Sequence, residues 1–186
     1  MRKNIGAKPY TYPQPVFMLA TYGEDGTPDV MNAAWGGISE GNELSLCISA
    51  GHKTTKNFLA RQAFTVSMAD VAHMAACDYV GIVSANTVAN KFEKAGFHAV
   101  KSEFVDAPLI EELPIAVECR VKSYDKGTCR LVGEIVNVSV DERVLNEQGQ
   151  VDVAKAQPIT FDPFNNTYVA LGTVVGDAFK AGNALK

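Results

Sequence analysis

Three stretches of the chain hold residue types that could do chemistry. The first runs from Leu44 through Ala69 without an aspartate or glutamate, and it carries His52, Lys53, Lys56 and Arg61. Its centre, Gly51-His52-Lys53-Thr54-Thr55-Lys56-Asn57, offers ammonium groups, hydroxyls and the open N–H groups of a helix start, the parts from which a phosphate site is made. The same residues suit a capped surface helix with solvated lysines, and the charge pattern leaves both readings open. The second stretch, Tyr79 through Phe92, is also free of acids and holds Gly81, Ser84, Asn86, Asn90 and Lys91. It reads as the polar lining of a cleft or as a loop whose Ser and Asn side chains satisfy their own backbone. The third is Asn32-Ala33-Ala34-Trp35-Gly36-Gly37, where small side chains let a flat molecule lie against the backbone. Trp35, the only tryptophan, is either a pocket wall or core filler.

Other chemistries lack their residues. His73 and Cys77 would share a helix face, but no further metal ligand accompanies them. There is no H-E-x-x-H, no G-x-S-x-G, no G-x-G-x-x-G and no complete P-loop. The four cysteines, Cys47, Cys77, Cys119 and Cys129, show no C-x-x-C spacing and read as free, partly buried thiols.

The elements that must position these residues are mostly strands. Val16–Tyr22, Asp29–Ile38 and Leu44–Ile48 read as a meander, with Asp25-Gly26 and Ser39–Asn42 as turns. Lys53–Arg61 suits a short helix opened by Thr54 or Thr55 as N-cap. Ala63–Met68 returns to strand, Val71–Val83 is helical, and a short helix from Asn90 stops at Gly96. Pro114–Tyr124 and Thr128–Val140 form the clearest hairpin, around Asp125-Lys126-Gly127. Asp141–Pro158 is a polar, loose segment, and Thr173–Ala181 a last helix. Many strands with few short helices predict an all-β antiparallel barrel with helical insertions, not a doubly wound parallel sheet.

Length and charge agree with a single domain over 1–186. Seventeen Lys+Arg against 21 Asp+Glu leave a net charge of −4, with no global attraction for a nucleic-acid backbone. No apolar run approaches the roughly 20 residues of a membrane span, and the start lacks the h-region of a signal peptide. The expected setting is cytoplasmic, with no nucleic-acid or membrane partner.

The ordered set of segments resembles a known family. Pro15-Val-Phe-Met-Leu-Ala-Thr-Tyr, Gly26-Thr-Pro-Asp-Val-Met-Asn-Ala-Ala-Trp-Gly-Gly and Phe64-Thr-Val-Ser resemble the opening of the flavoredoxin and flavin reductase-like proteins, the FMN-binding split barrels. Asp78-Tyr-Val-Gly-Ile-Val-Ser and Asn90-Lys-Phe-Glu-Lys-Ala-Gly-Phe are similar to that family's middle motif. Leu113-Pro-Ile-Ala-Val-Glu-Cys, Val132-Gly-Glu-Ile-Val, Pro158-Ile-Thr-Phe and Tyr168-Val-Ala-Leu-Gly follow in the family's order. Two details depart from it: Ala85 follows the middle-motif Ser where relatives often have Gly, and Gly-His-Lys-Thr-Thr-Lys stands where they often place Arg and Tyr.

The resemblance implies a Greek-key split β-barrel, a homodimer, and one non-covalent FMN per subunit near the dimer interface. It implies that Asn32, Ala33, Ala34 and Trp35 border the isoalloxazine, that Ser49, Lys53, Thr54 and Thr55 surround the ribityl phosphate, and that Ser84, Asn90, Lys91 and Phe92 complete the pocket. No catalytic side chain is implied, since the flavin carries the chemistry. The expected activity is an FMN-dependent oxidoreductase that passes electrons from NAD(P)H through FMN to a second flavin or a protein. A non-enzymatic FMN electron carrier of the flavoredoxin kind is the alternative, and a barrel holding another ligand such as haem is a third.

Overall fold

The computed structural model describes every residue, Met1–Lys186. A short β1 (Gln14–Pro15) leads into β2 (Phe17–Tyr22), β3 (Pro28–Ala33), β4 (Gly36–Glu40) and β5 (Glu43–Cys47). Helix α1 (Lys53–Arg61) precedes β6 (Ala63–Met68), and α2 (Met74–Ile82) and α3 (Lys91–Lys94) follow. Then come β7 (Ala99–Lys101), β8 (Pro108–Ile110), β9 (Ile115–Asp125), β10 (Arg130–Val140), the short α4 (Val153–Ala156), β11 (Ile159–Asp162) and β12 (Thr167–Ala170).

The main sheet has seven strands in the order β3-β2-β6-β9-β10-β5-β4, every neighbour antiparallel. Its two edge strands, β3 and β4, are separated in sequence only by Ala34 and Trp35. So short a link forces the sheet to curl until its edges meet, which makes a barrel with its seam at those residues. Gly36 permits the tight start of β4, since a Cβ there would come within 2.7 Å of the Ser45 carbonyl oxygen.

β2 lies at the centre of the packing. Met18 and Ala20 face one core cluster with Val30, Val80, Phe92 and Phe97, under α2 and α3. Leu19 faces the other, with Leu46, Phe58, Phe64, Val66 and Leu131 inside the barrel. A strand buried on both faces reads as a continuous apolar run, which is why Val16–Ala20 shows little alternation. Gly133 makes room for Phe64: an added Cβ would sit 2.8 Å from the ring's Cε1. Deleting a ring so enclosed costs about 3–5 kcal/mol.

Several expectations are corrected. Asp29–Ile38 is not one strand, and the opening is not a meander, because the chain passes at Ala34–Trp35 from one edge of the sheet to the other. Helix α1 is not capped by a threonine: His52 is its N-cap, with no side-chain cap bond. No helix occupies Thr173–Ala181; only a 3-10 turn at Ala181–Leu185 forms there. Within the loose segment, Asp152 accepts from the Ala154 N–H and starts α4. All four cysteines are free, but Cys47 is exposed, on the outward face of β5, while Cys77 and Cys119 are buried. No helix is long and apolar enough to cross a membrane.

Candidate functional site

Helix α1 follows β5 after the five residues 48–52, and its first turn is bare. It has no acidic residue there and no side-chain cap, so the positive end of the helix is left to whatever lies before it. Lys53 is exposed beside it. The threonine hydroxyls point elsewhere. Thr54 Oγ1 donates to Asp29 Oδ2 at 2.7 Å, and Thr55 Oγ1 donates to the Ser49 carbonyl at 2.8 Å. Both hydroxyl protons are thereby used inside the protein, although each oxygen keeps acceptor capacity.

The second acid-free stretch folds against the first. Asn86 Nδ2 donates to the Gly51 carbonyl at 3.0 Å. Gly81 lets α2 approach β3, since a Cβ there would lie 2.9 Å from that of Asn32. Lys91, only 3% exposed, turns its ammonium inward. It donates to the carbonyls of Val80 and Val83, at 3.2 and 3.1 Å, and stands 3.5 Å from Asp29 Oδ1. Burial pulls its pKa below the ordinary lysine value, while the Asp29 carboxylate pulls the other way. Asp29 is itself 4% exposed, and its Oδ1 has no hydrogen-bond partner.

These groups enclose a cleft of about 130 Å³ lined by Asp29, Met31, His52, Lys53, Thr54, Val80, Gly81, Ser84, Ala85 and Lys91. An adjoining recess of about 280 Å³ shares Asp29, Lys53 and Ala85 and adds Lys56, Asn57 and Asn86. The fold therefore brings Lys53, Thr54, Ser84 and Lys91 together on one cleft. Thr55 is buried, and Ser49 is exposed two residues past the end of β5. Asn90 is exposed at the N-cap of α3 and is not in either lining. Phe92, 2% exposed, lies in the core with its ring edge-on to Phe97.

The small-residue strand divides. Asn32 sits beside α2, its amide donating to the Cys77 carbonyl at 3.4 Å. Ala33 is buried in the barrel interior and Ala34 is half-buried at the seam. Trp35 is 58% exposed, so it is not core filler. It walls an open groove of about 510 Å³ together with Gly36, Ser45, Leu46, Cys47, Thr128 and Arg130. A groove that holds an exposed aromatic side chain, small residues and an arginine suits a planar and partly anionic ring.

Asp29 and Arg130 escape the sequence reading. Asp29 looks like the first residue of an ordinary strand, and nothing local marks the lysine that will face it. Arg130 is placed by the pairing of β10 with β5, where it stands opposite Cys47, and that pairing is not local either.

Residues 10–160 match the family described as the flavin reductase like domain. The structure is similar to flavoredoxin of Desulfovibrio vulgaris (Miyazaki F), with 35% identity and a TM-score of 0.93, over 98% of this chain and 100% of that one. It is similar to flavoredoxin from Methanosarcina acetivorans, with 26% identity and a TM-score of 0.85, over 100% of this chain and 98% of that one. An FMN-binding domain of a flavin reductase-like enzyme from Shewanella baltica shares the fold, with 18% identity and a TM-score of 0.76, over 88% of this chain and 89% of that one.

Proposed function

The chain belongs to the flavin reductase-like family, and on that premise we propose that it is a single-domain, cytoplasmic FMN-binding redox protein. It takes electrons from NAD(P)H and passes them through FMN to a second flavin or a protein, as a homodimer with one flavin per subunit. When bound, FMN supplies the hydride and electron chemistry; the protein binds, orients and sets its electrostatics.

The observation that carries this reading is the uncapped start of α1 opening on a cleft with an exposed Lys53. A phosphate close to a dianion satisfies such a helix end, and Lys53 and Lys56 add the charge. Thr54 and Lys91 shape the cleft floor, their protons held by Asp29 and by the carbonyls that end α2. Trp35 and Arg130 suit the ring end, the guanidinium favouring negative charge on the reduced ring and so raising its potential. Ser84 lines the same cleft as Lys53.

A carrier role without NAD(P)H oxidation is the second reading, supported by the 35% identity to a flavoredoxin over nearly the whole chain. Purified protein mixed with NADH or NADPH and excess FMN under air separates the two. Steady oxidation of the nicotinamide supports the reductase; a rate no higher than free flavin supports the carrier.

A further inference from the structure

Residues 172–186 leave the body of the protein and touch nothing that would hide them. Val174 is 78% exposed, Val175 100%, Phe179 104% and Leu185 93%. Their hydrogen bonds stay inside the segment: Lys180 and Ala181 to Asp177, Asn183 to Lys180, Lys186 to Asn183. The last bond to the body is from the Leu171 N–H to the Pro158 carbonyl. A segment with this apolar content and local turn structure is shaped for a partner surface, not for water.

The matching surface is on the same chain. A groove of about 350 Å³ is lined by Pro13, Pro15, Val16, Phe17, Met68 and Ile159 among others, and its lining is overwhelmingly apolar. Leu171, the root of the segment, stands in its wall. Gln14 lines it too, and the Oε1 of that buried side chain has no hydrogen-bond partner. The segment begins at the groove and then turns away from it. Donor and acceptor surfaces are therefore both unfilled in one chain, the condition that a two-fold pair satisfies by mutual exchange.

We infer that residues 172–186 form an arm that crosses to a second copy of the chain and seats its apolar side chains in that copy's groove between β1, β6 and β11. The inference rests on the homodimer proposed above and goes beyond it by naming the segment and its seat. The stretch from Gly172 to Gly176 can extend by up to about 3.3–3.6 Å per residue. A small ligand would answer the groove but leave Val175 and Phe179 bare, and an unrelated partner would need to supply both halves. Gly36 belongs to this groove and to the Trp35 groove, so the partner's arm would border the ring end of the flavin site.

The test uses the full chain with the photoreactive p-benzoylphenylalanine in place of Phe179. Nitrogen-15-labelled and unlabelled protein are mixed, exchanged and illuminated, and the crosslinked peptides are read by mass spectrometry. The expected result is crosslinks between unlike-labelled chains that map to residues 13–17 or 158–160. As a second reading, the Val175→Asp, Phe179→Asp double variant, altered only at exposed positions, weakens the dimer at least tenfold by sedimentation. Crosslinks confined to like-labelled chains, or mapping away from the groove, leave the dimer standing and overturn the arm exchange. A wild-type monomer by light scattering overturns the dimer reading itself, and the exchange with it.

Discussion

Lys53 and Lys91 come from the two stretches that carry no acid, and the fold treats them in opposite ways. Lys53 stands exposed at the mouth of a cleft beside a bare helix start. Lys91 is drawn beneath the same cleft, where Asp29 and two backbone carbonyls hold its ammonium. One cation is left exposed to solvent; the other locks α3 and the end of α2 onto β3. Absence of acids along a stretch thus marks neither a site nor a surface, because the neutralising carboxylate arrives from another strand. What separates the two is desolvation: a buried ammonium needs a fixed partner, and an exposed one does not.

The largest effect is expected at Lys91. Lys91→Met leaves Asp29 buried and uncompensated, and is expected to cost about 3–5 kcal/mol of stability in urea unfolding of the flavin-free protein. Adding Asp29→Asn to that variant is expected to recover part of the loss. A Lys91→Met protein as stable as wild type would show that the pair holds nothing together.

Lys53→Ala is the counterpart. The fold is expected to stay within about 0.5 kcal/mol, as for an exposed side chain. Affinity for FMN falls roughly tenfold to a hundredfold, the scale of one hydrogen bond to a charged group. Calorimetric titration checks both halves of the contrast.

Trp35→Ala sharpens the ring end. Its exposure predicts a stability change under about 0.5 kcal/mol, with flavin affinity down several-fold and the flavin fluorescence altered. A large stability loss with an unchanged flavin spectrum would assign Trp35 to packing.

The smallest effect is in pH. The Tyr12 hydroxyl and the Asn165 amide hold the Asp162 carboxyl down to about 2 from its ordinary 3.8. A depressed carboxylate contributes stability that is present above the unfolded value and fades as pH falls through the folded one. Docking of residues 10–15 on β11 is expected to loosen between roughly pH 4 and pH 2, and Asp162→Asn to flatten that part of the acid unfolding curve.

The sequence showed clearly what depends on near neighbours. The β9–β10 hairpin, β6 and β5 are legible because alternation and a turn at Asp125–Gly127 are local signals, and α3 stops at Gly96, whose φ of +80° suits glycine. Ala34–Trp35 reads as the middle of a strand, since the reason for the break is β4 pairing with β5 at the far edge. Thr54 and Thr55 look like caps until Asp29 and Ser49 claim their hydroxyls. Phe92 follows Lys91 in a polar stretch, yet it faces the core because α3 must bury one side. The two acid-free stretches do meet at one cleft, but which of their lysines is buried and which exposed is decided by contacts between distant strands.

Everything proposed for the site depends on the start of α1 and Lys53 gripping a phosphate. Titrating the wild-type protein with FMN and with riboflavin, then repeating both on Lys53→Ala, tests it most directly. Wild type is expected to prefer FMN by a wide margin, and Lys53→Ala to narrow the gap while leaving riboflavin binding unchanged. Equal affinities of the wild-type protein for the two flavins would contradict it.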